Sequence, residues 1–227
     1  MNTALDPTKP GRRYNPQPVL ALAFLLSGAP LAFSILTGMS LAITLATGAV
    51  VAAAVVAYKW SGATPRTRAL FKIILVTGLI AGIAATAAYD VTRILLVKLG
   101  QMKFYPFETF NRFGELLLGY NLPRSLTFSV GTLYHALNGI SFATSYCFLL
   151  GGRTWLLGVL WALGLEVLMF TAYTNWLDLE EVMAEFVAVS LVGHVAYGTT
   201  FGLISQRRLK PERPQRLLPP PEPAASA

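Results

Sequence analysis

The chain has 227 residues, of which 54% are hydrophobic and only 13% are charged, and its mean hydropathy is +0.55. A soluble domain carries about 25% charged residues, so the composition excludes a water-soluble globular protein. The net charge of +7 does not indicate nucleic-acid binding, because the basic residues lie in the tails and in short segments between apolar runs. The single cysteine, Cys147, excludes internal disulfides and cysteine-based zinc or iron–sulfur sites.

Apolar segments long enough to cross a bilayer recur along the chain. About 20 apolar residues in a helix are needed to cross the hydrocarbon core. The uncharged run 18–57 is about twice that length, so we expect it to fold back at Thr37-Gly38. The pattern predicts six transmembrane helices, near residues 18–36, 39–58, 69–96, 127–150, 155–175 and 183–205.

The segment 106–119 differs from these six spans. Glu108, Arg112 and Glu115 lie three or four residues apart and can pair along a helix, and aromatic residues recur at helical spacing between them. The segment is too short and too charged to cross the bilayer, so we predict an amphipathic helix lying in the membrane interface. A solvated connecting helix is the alternative. The predicted fold class is therefore all-α, a polytopic membrane bundle of six transmembrane helices plus one interfacial helix.

The distribution of basic residues predicts the orientation of the bundle. Most of the 18 Lys and Arg residues lie in the N-terminal tail 1–17, in the connection 59–68, at Arg153 and in the tail 206–227. Cytoplasmic loops carry the excess of basic residues, and the acidic turn 178–181 carries none. We therefore expect both termini in the cytoplasm, flanking a membrane domain over 18–205, with a disordered proline-rich tail over 206–227. The lipid bilayer is the expected partner.

Spans three to six each combine small residues at intervals of four with one ionisable residue. Residues four apart share a helix face, and small residues let transmembrane helices approach closely. A charge near the bilayer centre costs roughly 2.5–3.5 kcal/mol, so we expect the ionisable residues to meet inside the bundle. The first two spans carry none and are expected to be scaffold. The ionisable residues are Asp90, His135, Glu166 and His194, and the glycines predicted to pack the helices are Gly78, Gly82, Gly139, Gly158, Gly198 and Gly202.

The helical rise of about 1.5 Å per residue places the ionisable residues at different depths. Asp90 lies near the outer end of its span, whereas Glu166 and His194 lie near the midplane. Below them the inner halves of the helices are mostly small and apolar. This arrangement predicts a polar pocket that opens outward, with Arg93 and Asn138 at its mouth.

Several functions fit such a pocket. Intramembrane ionisable residues mark ligand and proton pathways, so the predicted function is to bind or move a small polar solute or a proton, with no cofactor. The alternative is a membrane-embedded enzyme with a metal ion or haem b held by His135, His194 and Glu166. A hydrolase or transferase using Ser190, one turn from His194, is a third interpretation. Purely structural hydrogen bonding between the helices is the fourth.

Five motifs together resemble a family of uncharacterised small bacterial multi-pass membrane proteins. They are YDVTR (89–93), PFETFNRFGELLLG (106–119), YHALNG (134–139), GLEVLMF (164–170) and GHVAYG (193–198). The resemblance covers about residues 89–204 and implies a location in the bacterial inner membrane, without an activity. It also implies that the function lies at the matching positions, Asp90, Arg93, His135, Asn138, Glu166, His194 and Gly198.

Overall fold

The computed structural model describes residues 16–103, 105–173 and 182–210, with the backbone alone at 172 and 173. Within these ranges every regular element is a helix. The two tails up to residue 15 and from residue 211, and the acidic turn 178–181, lie outside the described residues. The helices are α1 (Pro18–Leu25), α2 (Ala29–Thr37), α3 (Leu41–Ser61), α4 (Pro65–Leu99), α5 (Glu108–Leu118), α6 (Arg124–Leu150), α7 (Trp155–Tyr173) and α8 (Met183–Leu209).

Three helices of the described chain, α3, α4 and α8, are long and apolar enough to cross a membrane. The pair α1 and α2 makes a fourth candidate if the two helices count as one bent span, and α7 contains a shorter apolar run over 155–171. The protein therefore has an all-helical fold with several membrane-span-like helices. Six crossings remain a prediction.

The first predicted span is not one helix, because α1 and α2 meet at an angle of 50°. Pro30 at the start of α2 lacks a backbone N–H and disfavours a continuous helix through this point. The carbonyl oxygen of Ser27, in the break, accepts a hydrogen bond of 2.9 Å from the hydroxyl of Tyr134 on α6. The interruption is thus stabilised from the neighbouring helix. The expected turn after Thr37 is present, with Gly38 in the left-handed region at φ 72°.

Two helix crossings, α4 with α6 and α7 with α8, bring backbones into close contact. A Cβ atom on Gly82 would lie 2.5 Å from the Cα of Ile140, and one on Gly198 would lie 2.6 Å from the carbonyl oxygen of Gly158. Glycine at these positions permits the tight packing by which helices associate in lipid. The predicted packing glycines all lie at these crossings: Gly78, Gly82 and Gly139 at the first, and Gly158, Gly198 and Gly202 at the second.

Helix α5 lies across α6 and is strongly amphipathic. Its apolar face buries Phe110 and Phe113, and Gly114 allows its backbone to reach that of Thr127 on α6. Glu108 pairs with Arg124 of α6 at 2.7 Å instead of pairing along its own helix. α5 is therefore held to the bundle by packing and by an ion pair, and a position in the membrane interface remains a prediction.

Helix α8 continues to Leu209, four residues beyond the predicted end of the last span at 205. Two contacts explain the extension. The Oε1 atom of Gln206 accepts a hydrogen bond of 2.9 Å from the backbone N–H of Trp155, at the start of α7. Leu209 is buried against the turn at Gly151 and Gly152. The first residues of the predicted disordered tail are therefore helical.

Candidate functional site

The four predicted ionisable residues form two histidine–carboxylate pairs. On one side, His135 Nε2 of α6 lies 3.2 Å from Asp90 Oδ1 of α4. On the other, His194 Nδ1 of α8 lies 3.0 Å from Glu166 Oε2 of α7. The packing of α4 on α6 and of α7 on α8 positions these partners, so each glycine-lined crossing carries one pair.

Tyr89, which the sequence analysis did not select, lies between the two histidines. Its ring centroid is 5.7 Å from that of His135 and 4.9 Å from that of His194, against which it packs edge-on. Its hydroxyl lies 3.3 Å from the Oγ of Ser190, one turn from His194. Tyr89 thus joins the two pairs into one cluster that draws on α4, α6, α7 and α8.

Hydrogen bonding is incomplete in both pairs, since Asp90 Oδ1, His135 Nε2 and both carboxyl oxygens of Glu166 have no hydrogen-bond partner in the described chain. The Nδ1 of His194 lies 3.0 Å from the backbone carbonyl oxygen of Ser190. Since a carbonyl only accepts, this contact indicates that Nδ1 carries the proton and that Nε2 of the neutral ring is an acceptor. Glu166 is fully buried, and hydrogen-bond geometry in the described chain leaves both of its carboxyl oxygens without a donor, although His194 Nδ1 lies 3.0 Å from Oε2. The site therefore holds a buried carboxyl group with unused hydrogen-bonding capacity.

Arg93, which was predicted at the mouth of the pocket, is buried. Its guanidinium donates a hydrogen bond to the backbone carbonyl of Pro106 and lies 3.6 Å from Asp90 Oδ1. It also packs over the ring of Tyr89, 4.9 Å from the centroid, and over that of Phe107 at 5.9 Å. Arg93 therefore holds the segment before α5 against the histidine cluster.

A cavity of about 440 Å³ lies beside this cluster, within the range of about 300–1,000 Å³ that is typical of small-molecule sites. Its polar wall comes from α4, α6 and α8, and its apolar wall comes mainly from α1, α2, α5 and α7. Asp90 and Glu166 do not line it, although the histidines that they contact do. Of the predicted site residues, the cavity is lined by Arg93, His135, Asn138 and His194.

The first two helices are more than the scaffold that their lack of ionisable residues suggested. Leu25 of α1 and Ala32 and Leu36 of α2 line the cavity. The bend between the helices also lets Gly28 contact the ring of Phe142, since a Cβ at this glycine would lie 2.2 Å from the ring. Sequence reasoning that followed charge alone could not identify these apolar contributors.

The described ranges contain no group of three or more His, Cys, Asp or Glu side chains able to hold a metal ion. His135 and His194 each contact a different carboxylate, and the ring of Tyr89 packs against both imidazoles. The geometry therefore gives no support to the alternative in which His135, His194 and Glu166 bind one metal ion, and none to a haem between the two histidines.

Comparison with known proteins identifies the chain at the level of a family. Residues 73–216 match the sequence model of DUF6789, a family of unknown function. The matched range contains both histidine–carboxylate pairs, Tyr89 and Arg93. No curated protein and no solved structure matches the chain. Because the family match covers more than half of the sequence, the protein belongs to the DUF6789 family of unknown function.

Proposed function

We propose that the protein is a six-span protein of the bacterial inner membrane, with both termini in the cytoplasm, that binds a small ligand through a polar group in the cavity. The ligand's polar group lies against His194, His135 and Asn138, and it exchanges a proton with the histidine–carboxylate pairs. The proposal is supported by the cavity, by its one-sided polar wall and by the position of the two carboxylates behind the histidines.

The observation that carries this proposal is the state of Glu166. Buried polar groups whose role is structural are almost always hydrogen-bonded, because burying an unpaired polar group lowers the stability of the folded state. Glu166 is fully buried with neither oxygen hydrogen-bonded within the described chain, and it contacts a histidine that lines a cavity. This favours a binding role over purely structural packing.

The chemistry of the pair suits proton exchange. With its Nδ1 proton directed to the Ser190 carbonyl, His194 presents Nε2 as a hydrogen-bond acceptor. A carboxyl group beside the imidazole would offset part of the desolvation cost of an imidazolium that forms when Nε2 takes a proton. A hydroxyl or similar group of the ligand would thereby be bound as a donor, and the pair could accept or return its proton.

The experiment is a search for a bound compound. The protein is purified in nanodiscs, and small molecules are extracted and compared by mass spectrometry with an extract of the bulk membrane. We expect one compound class to be enriched with the wild type and lost with His194→Gln. Glu115→Gln is the control, since it removes a carboxylate from α5 that pairs with Arg112 and does not line the cavity. Equal recovery from all three proteins would contradict the proposal.

Movement of a proton between the two pairs is a second candidate function. It is favoured by the position of Tyr89, whose hydroxyl contacts Ser190, one turn from His194, and whose ring packs against that of His135. In proteoliposomes with an internal pH dye, Tyr89→Phe should slow the decay of an imposed pH gradient relative to the wild type. Identical decay in wild type, variant and protein-free vesicles would exclude this function.

A further inference from the structure

The cavity is open on one side only within the described structure. Its lining residues on α4, α6 and α8 are buried or half-buried, whereas the exposed ones all belong to α2 and α7. Leu36 on α2 is 72% exposed and Leu168 on α7 is 66% exposed, although both line the cavity. We call this gap the lateral opening, and it is formed by Ala29, Leu36, Leu168 and Thr171.

The end of the cavity next to α5 is covered. Thr109 and Phe113 of α5 line the cavity, and Phe113 is buried against Tyr134 with the ring centroids 5.6 Å apart. Arg93 fixes the segment before α5 through Pro106. The described residues therefore place the opening between two apolar helices and not at the end of the bundle.

From this geometry, and resting on the proposed function, we infer that the ligand is a lipid-soluble molecule that enters from the bilayer through the lateral opening. Its apolar body lies along Leu25, Ala32 and Leu165, and its polar head meets the wall of α4, α6 and α8. An entrance that is apolar except for Thr171, with the ionisable side chains on the opposite wall, suits an amphipathic molecule better than a water-soluble solute.

The head group is uncharged, and a hydroxyl fits best. Arg93, the cation in the wall, already contacts Asp90 and the Pro106 carbonyl, and two carboxylates stand close to the histidines, which disfavours an anionic head. The Oδ1 of Asn138 and the Oγ1 of Thr86 are buried without a hydrogen bond from the described part of the protein. A hydroxyl both donates and accepts, so it can donate to His194 Nε2 and accept from another polar side chain of this wall.

The test uses a long-chain alcohol with a photoreactive diazirine in its chain, dissolved in nanodiscs that hold the full-length protein. The double variant Leu36→Trp/Leu168→Trp narrows the lateral opening from both sides. Its matched control is Leu22→Trp/Leu160→Trp, at positions 63% and 64% exposed that do not line the cavity. All four positions are at the surface, so folding is expected to be retained, and thermal unfolding checks it.

We expect labelling of the wild type to map to peptides of α2 and α7. Two tryptophan side chains in the lateral opening should cost enough binding free energy to reduce labelling by roughly tenfold in the first double variant. Labelling of the control variant should not change. The carboxylic acid of the same chain length should label weakly. Equal labelling of both double variants, or by the acid and the alcohol, would overturn the inference.

Two outcomes separate this inference from the proposed function. If the wild type is not labelled by the alcohol while a water-soluble compound co-purifies and is lost with His194→Gln, entry from the bilayer is wrong and the polar site stands. If labelling depends on the lateral opening but is identical in the wild type and His194→Gln, the inferred opening stands and the role of the polar site is wrong.

Discussion

Arg93 donates a hydrogen bond to the backbone carbonyl of Pro106, two residues before α5 begins. The same guanidinium packs over the ring of Tyr89, which contacts both histidines. One buried side chain on α4 therefore contacts both the segment before the amphipathic helix and the histidine cluster. A shift of α5 would reach the polar wall of the cavity through Arg93 and through Phe110, whose ring centroid lies 4.7 Å from that of His135.

Replacing Arg93 should destabilise the protein strongly. Arg93→Met removes a buried cation and leaves Asp90 and the Pro106 carbonyl without it, and breaking such a contact costs about 3–5 kcal/mol in buried pairs. Since Asp90 is half-buried, we expect the lower end, about 3 kcal/mol, measured by unfolding in detergent. Arg112→Met is the control: it removes a more exposed ion pair, worth about 0–1 kcal/mol. Equal losses of stability in both variants would contradict this structural role of Arg93.

The helix crossings predict opposite effects for two glycine substitutions. Gly82→Ala brings a Cβ within 2.5 Å of the backbone of Ile140, so α4 and α6 must separate, at a cost of about 1–3 kcal/mol. Gly164→Ala on α7 meets no atom within 4 Å, and the helix propensity of Ala should make it neutral or stabilising by up to about 1 kcal/mol. Thermal unfolding of the two variants compares them directly. A loss with Gly164→Ala as large as that with Gly82→Ala would argue against tight packing at the crossing.

Replacing the carboxyl group of Glu166 by an amide should affect thermal stability and ligand binding differently. Glu166→Gln keeps the volume of a fully buried side chain whose oxygens receive no hydrogen bond from the described residues, so thermal stability should stay the same or rise. The compound that co-purifies with the wild type should be lost. A structural role would give the reverse result, with lower stability and unchanged recovery of the compound.

The contact between Gln206 and Trp155 predicts a capping effect at the start of α7. Gln206→Leu removes the acceptor for the Trp155 N–H, and the loss of such a contact typically costs about 0.5–2 kcal/mol. Gln206→Glu retains an acceptor and places a negative charge at a helix N-terminus, which is favourable. Unfolding measurements should therefore rank the glutamate variant above the leucine variant. The same stability in both would mean that the last turn of α8 does not cap α7.

The helix positions could be predicted because they depend on composition. The long uncharged runs and the helix-breaking residues Gly38, Gly62 and Pro65 are local signals in the sequence. The helices begin and end within a few residues of the predicted segments. The bend between α1 and α2 could not be predicted from Gly28 and Pro30 alone, because both residues are tolerated within transmembrane helices. Whether they bend a span depends on its neighbours, here Tyr134 and Phe142 of α6.

Tyr89 was missed for a geometric reason. A face followed at intervals of four drifts by about 40° per step, because the helix has about 3.6 residues per turn. Counting from Gly82, this drift selects Asp90, whereas the residue seven positions on, Tyr89, lies closer to the same face. The structure agrees, since Tyr89 is buried and Asp90 is half-buried. An interval that alternated between three and four would have selected the tyrosine.

A polar pocket was predicted, but its apolar wall could not be predicted from one sequence. Its apolar wall consists of leucines, alanines and phenylalanines that are no different in type from those facing lipid. Leu168 lines the cavity and Leu160, two turns earlier on α7, does not. Only the arrangement of α2 beside α7 distinguishes them, and that arrangement depends on contacts between residues far apart in the chain.

The bend between α1 and α2 has a consequence for how this protein relates to its family. The family match begins at residue 73, after both of these helices, so the polar wall of the cavity lies inside the matched range, whereas Leu25, Ala32 and Leu36 lie before it. Exchanging the segment before α3 for another hydrophobic hairpin should then change which chain lengths or ring shapes are admitted while leaving the acid–base groups intact. The size limit on the ligand could then be altered by mutation without touching the histidine–carboxylate pairs.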